Sequence, residues 1–197
     1  MTRAAPYDRE TALDAALTLF WRRGFHATSL KDLEAALSMK PGSIYAAFTS
    51  KEALFRETLR RYRDRTGAKV ATLARESASP LEALAEHARR SGRPEQGRPL
   101  GCILVKTVLE LADSESEAGE DARHYLAEVR SLFQSLFEKA RAAGELPASA
   151  DCRRLARRFQ ANMFALAVET LRGSDPEELA SLADDIAEEV LRLRQPQ

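Results

Sequence analysis

The stretch GFHATSLKDLEAALSMKPGSIYAAFTSKEALF, residues 24–55, decides the fold. Ser29 with Asp32 three positions on has the pattern of a capping box, and Leu30, Leu33 and Leu37 follow at helical spacing, so a short amphipathic helix is expected over about 29–37. Pro41 suits the first position of a second short helix, where a missing N–H loses no bond. Ile44, Ala47 and Phe48 give that helix an inward face. Thr49 with Glu52 repeats the capping-box pattern and opens a long helix through Leu54, Phe55, Leu59 and Tyr62. Two short helices joined by a tight link form a helix-turn-helix.

Upstream, Leu13, Ala16, Leu17, Phe20 and Trp21 make one apolar stripe, Gly24 stops it, and Phe25 anchors the connection. Downstream, helices are expected over 80–90, 101–112, about 120–143, 152–172 and 176–193, with a Gly- and Pro-rich loop at 91–100. The sum is an all-α chain of about nine helices. The first three helices fall within residues 1–50, and the helix over 51–75 leads on to the further helices of 51–197.

Charge distribution separates two tasks. The 197 residues carry 30 basic and 30 acidic side chains, yet residues 1–65 hold 12 Lys and Arg against 8 Asp and Glu. A basic first third on an acidic remainder suits a nucleic-acid module joined to something else. MTRAAPYDRE at the start lacks the apolar core of a signal peptide, and no run of 18 apolar residues occurs. A reducing cytoplasm is the plain reading, with no membrane partner. Cys102, Cys152 and the three histidines form no ligand spacing, so neither metal nor cofactor is expected. There is no Gly-rich phosphate loop and no standout nucleophile–base order, which argues against an enzyme.

A recognition helix fits the major groove, and its partner helix offers its N-terminus to phosphate. On that reading Thr28 and Ser29 can bond phosphate, and Lys40 can reach phosphate or a base edge. Gly42 leaves room for close approach. Ser43 and Tyr45 face away from Ile44 and Phe48. Lys51 opens a helix where a cation opposes the dipole, which hints at an external anion. Each lysine can equally be a solvated surface charge.

Residues 24–55 resemble the DNA-binding signature of the tetracycline-repressor (TetR/AcrR) family. The matching positions include Gly24, Thr28, Ser29, Leu33, Ala36, Gly42, Ser43, Tyr45, Phe48, Lys51, Glu52 and Leu54. The resemblance implies an all-helical regulator, most often a repressor, with a helix-turn-helix DNA-binding domain over 1–50 and, linked by the helix over 51–75, a helical effector-binding and dimerisation domain over 51–197. It would bind a palindromic double-stranded DNA operator as a homodimer, through helices about 152–172 and 176–193, and be released by a small-molecule effector. Thr28, Tyr45 and Lys51 match positions that touch phosphates, and Ser43 one that reads bases. Pro41 stands where many members carry a polar or basic residue, Lys40 where they often carry Ser, and Ser38 where the turn usually has Gly.

The rest of the chain is less specific. Cys102, Leu104, Phe133, Phe137, Phe159 and Met163 are candidates for an effector pocket, with plain core as the alternative. Cys102 at a helix start can also sense an oxidant or electrophile. The helix over 152–172 is apolar on more than one face, and Leu179, Leu182, Ile186, Val190 and Leu193 stripe the last one. Dimer interface and intrachain core both fit these patterns, as does a helical protein-binding scaffold.

Overall fold

A computed structural model of the chain describes residues 8–93 and 101–195. Most of the 91–100 loop therefore lies outside the described residues. Among those described, nine helices occur: α1 (Arg9–Arg23), α2 (Leu30–Leu37), α3 (Pro41–Phe48), α4 (Lys51–Glu76), α5 (Pro80–Ser91), α6 (Ile103–Glu110), α7 (Glu117–Ala142), α8 (Cys152–Arg172) and α9 (Pro176–Leu191).

Their ends follow local chemistry. Asp8 caps α1 by accepting from the Glu10 N–H, and Gly24 at φ +89° ends it. Ser29 and Asp32 form both halves of the expected capping box. Pro41 opens α3, Pro80 α5 and Pro176 α9, each at a position with no intrahelical N–H bond to lose. One expected cap is displaced by a residue. Thr49 belongs to the close of α3 at φ +66°, and Ser50 caps α4 by accepting from the Ala53 N–H at 3.0 Å. A two-residue link leaves room for one C-cap and one N-cap. Glu52 is thereby freed to accept from the Ser116 hydroxyl at 2.9 Å.

The turn between α2 and α3 explains a departure noted in the sequence. Ser38 sits at φ +52°, ψ +39°, the left-handed region that glycine enters without penalty. Ser38→Gly is expected to raise stability by about 0.5–1 kcal/mol, read as a higher urea midpoint with an unchanged slope. A lower midpoint would refute the assignment of strain to this turn.

The chain divides into two compact units. The first comprises Met1–Arg63 with Ile103–Tyr125, so the helix-turn-helix shares its unit with α6 and the start of α7. Its core is Leu13, Leu17, Phe20, Leu33, Ile44, Phe48, Leu54, Phe55 and Leu59, all buried. Phe55 packs tilted against Phe20 and Phe25, at 4.8 and 5.1 Å between ring centroids. Arg61 pairs with Glu10 and Asp14, and Arg56 with Glu117 and Asp121, which ties α4 to α1 and to α7 within this unit.

The second unit comprises Asp64–Cys102 with Leu126–Gln197. Here α5 packs on α9 and α8. Phe133, Phe137 and Phe159 form an aromatic cluster, with Phe133 and Phe159 edge to face at 4.9 Å. The stripe on α9 is spent inside the chain: Leu179, Ile186 and Val190 are buried in this core and Leu182 packs against it. Those stripe residues take part in the intrachain core of this unit. The outward apolar face belongs to α8, where Ala161, Ala165, Val168 and Leu171 are exposed at helical spacing.

Candidate nucleic-acid interface

The candidate surface is the outer side of α2 and α3. Ile44 and Phe48 are buried and hold α3 to its unit, which turns Pro41, Gly42, Tyr45 and Ala46 outward. Tyr45 is 46% exposed, so its ring contributes little to the core. Lys40, the N-cap residue, is exposed and makes no side-chain cap bond. No acidic residue stands in the first turn of α3, so the positive end of the helix faces outward uncompensated. Among the described residues neither Lys31 nor Lys40 has a carboxylate partner.

Gly42 is informative because the chain gives no internal reason for it. A Cβ built there meets nothing within 4 Å, and its backbone does not need the left-handed region. A helical glycine costs about 1 kcal/mol relative to alanine. Glycine here keeps a space open on the outward face.

Two of the expected phosphate-contact residues, Thr28 and Ser29, make hydrogen bonds within the chain. The Thr28 side chain is fully buried, and its hydroxyl donates to the Gly24 carbonyl at 2.7 Å. It braces the α1–α2 turn and does not face solvent. Ser29 is exposed, but its hydroxyl donates to Asp32 Oδ2 at 2.7 Å and accepts from the Asp32 N–H at 3.2 Å. Hydrogen bonds from the Ser29 hydroxyl and amide, with Arg23 alongside, hold the Asp32 carboxyl down to about 2. Ser43 is half-buried at the edge of the outward face, where Ala46 lies fully outside.

Lys51 has an answer inside the chain. Its ammonium lies 4.4 Å from the centroid of the Phe25 ring. Partial burial lowers its pKa, while Glu110 and Asp32 act to raise it. Phe25, Glu110 and Asp32 are thus partners of Lys51 inside the chain. Glu110 and Lys106 are residues that sequence reading missed. A Lys and a Glu four apart on a helix look like a solvated surface pair.

The effector candidates fall in different places. Leu104 is buried in α6 of the first unit, whereas Cys102, Phe133, Phe137, Phe159 and Met163 belong to the second. Cys102 is half-buried just ahead of α6, and Cys152 is buried in the core with its thiol toward the Ala150 carbonyl at 3.7 Å. His87, partly enclosed, lies 5.4 Å from Phe133 and 6.4 Å from Phe159 between ring centroids. Loss of hydration and the charge of Lys69 push its pKa down to about 4, so it is neutral at pH 7. No His, Cys, Asp and Glu grouping among the described residues could hold a metal ion, and no described helix is long and apolar enough to cross a membrane.

Known proteins share both the pattern and the architecture. Residues 12–58 match the model for bacterial regulatory proteins of the tetR family, and residues 77–186 match a tetracyclin repressor-like C-terminal domain. The HTH-type transcriptional repressor ComR of Escherichia coli K12 is 35% identical over 186 residues, covering 92% of this chain and 88% of ComR. A cysteine-substituted form of the TetR-family regulator CifR, solved with 26-base-pair double-strand operator DNA, superimposes with a TM-score of 0.84. It is 32% identical and covers 99% of this chain and 100% of its own. A regulator from Cytophaga hutchinsonii has a TM-score of 0.85 at 18% identity, covering 96% of each chain, a likeness of fold alone. These matches set the enzyme and scaffold readings aside, and the chain belongs to the tetR family of bacterial regulatory proteins, as a helix-turn-helix regulator of transcription.

Proposed function

We propose that the chain is a repressor that places α3 in the major groove of a two-fold operator as a homodimer and leaves the DNA when a small molecule binds its second unit. The observation that carries the reading is the outward face of α3. Pro41, Gly42, Tyr45 and Ala46 are exposed there, beside Lys40, which has no carboxylate partner among the described residues, with open space over Gly42. Small residues let backbone approach backbone, and a cation at an open helix start suits phosphate. Lys40 and Ser43 are the side chains placed to reach base edges, while Tyr45 and the start of α3 take phosphate. Short side chains leave part of the operator preference to DNA shape. Operator complexes of CifR and the repressor role of ComR agree with this assignment.

The α8 face of Ala161, Ala165, Val168 and Leu171 is the surface on which a second copy would pack, and a two-fold operator requires that copy. An effector entering beside His87, Phe133 and Phe159 would meet a largely apolar lining. Effector and operator affinities would then be reciprocally coupled.

The test uses DNA from upstream of the chain's own gene, with affinity followed across salt. Log affinity should fall linearly with log salt, with a slope of about 0.9 per phosphate neutralised. Binding without sequence preference at every salt concentration would refute the operator reading.

A further inference from the structure

We propose that Glu110 is a positioning residue for operator binding, holding the turn from Gly24 to Ser29 that sets the start of α2. This rests on the operator-binding reading above. Glu110 is the last residue of α6, and both of its carboxylate oxygens are used. Oε2 accepts from the Phe25 N–H at 2.9 Å, and Oε1 from the His26 N–H at 2.6 Å. One turn earlier, Lys106 donates to the carbonyls of Trp21 and Arg22 at 3.2 and 2.8 Å. Two side chains of α6 thus bracket Gly24, one satisfying carbonyls at the end of α1 and the other satisfying amides that enter the turn. A Cβ on Gly24 would stand 2.5 Å from Glu110 Oε2 and would push that carboxylate aside, and the backbone at φ +89° itself favours glycine. Thr28 closes the same turn from within by donating to the Gly24 carbonyl.

Two costs make this carboxylate's placement informative. A negative charge at a helix C-terminus opposes the dipole. A negative charge in a unit that binds DNA also repels phosphate. Both are accepted at one residue whose oxygens reach backbone 84 and 85 positions away. A charge that served only solvation would gain by being absent.

That opposition of sign makes the test decisive. Glu110→Gln removes the charge and leaves one good acceptor. If charge alone mattered, the variant would bind every duplex more tightly. If Glu110 positions the turn, affinity for a duplex that the wild-type chain enriches from a random-sequence pool falls about tenfold. Affinity for a random-sequence duplex at the same salt then stays level or rises. Amide exchange supplies a readout independent of DNA. In the wild type the Phe25 and His26 amides should be protected, and in the variant they should exchange about tenfold faster. Unprotected amides in the wild type would overturn the proposal even if the variant fails to fold. Equal affinity of variant and wild type for the enriched duplex, or parallel loss on both duplexes, would overturn it as well. Failure of the wild type to enrich any duplex would sink the operator reading, and this proposal with it.

Discussion

Phe48→Ala is expected to cost about 3–5 kcal/mol and to abolish operator binding. Phe48 is 2% exposed, and with Ile44 it supplies the buried side chains of an eight-residue helix. So short a helix has no stability of its own, because nucleation outweighs the few bonds it forms. Tertiary packing of those two side chains is what keeps α3 in place. The Arg9 guanidinium also lies over the Phe48 ring, 4.9 Å from its centroid, and loses that contact on truncation. Urea unfolding should show a lowered midpoint, and fluorescence anisotropy with labelled operator should show no binding at concentrations that saturate the wild type. A variant that binds normally would mean that α3 is held by something other than its inward face.

Gly42→Ala is expected to move stability and binding in opposite directions. An alanine Cβ at this position meets only open space, and the backbone needs no glycine. The folded chain should therefore gain up to about 1 kcal/mol from helix propensity. The operator, in contrast, should lose about tenfold or more in affinity, equivalent to about 1.4 kcal/mol, because the methyl group occupies the space that DNA backbone would fill. Thermal or urea unfolding reads the first effect and operator titration the second. Unchanged affinity would show that no part of the DNA comes close to Gly42. Few substitutions on this chain separate folding from function so cleanly, since most outward changes leave stability nearly unaffected and most inward ones harm both.

Much of the DNA-binding unit is legible along the chain because its signals are local. The Ser29–Asp32 box, Pro41 at a helix start and Gly24 at a helix end each declare themselves within four residues, and the structure keeps all three. Thr49 and Ser50 show the limit of that reading. Either can cap a helix, and only the length of the link decides which one does. Thr28 fails for a different reason. A hydroxyl next to an N-cap looks outward in sequence, but its burial depends on the Gly24 carbonyl standing 2.7 Å away. Glu110 was out of reach for local reasoning, since its partners lie 84 and 85 residues earlier. The α9 stripe was visible as a stripe, but its direction was not. An apolar face does not say whether α5 of the same chain or a second copy covers it.

Ser38 and Thr49, the two non-glycine residues at positive φ among those described, stand one on each side of α3. Each leaves the helical backbone region, and in the segment between them Met39, Ile44 and Phe48 are buried. Lys40, Tyr45 and Ala46, all exposed, can therefore vary without disturbing the packing beneath. The segment behaves as an interchangeable cartridge. Operator preference could be retuned at exposed Lys40 and at Ser43 on the edge of the face, with Gly42 and the three buried side chains left as they are.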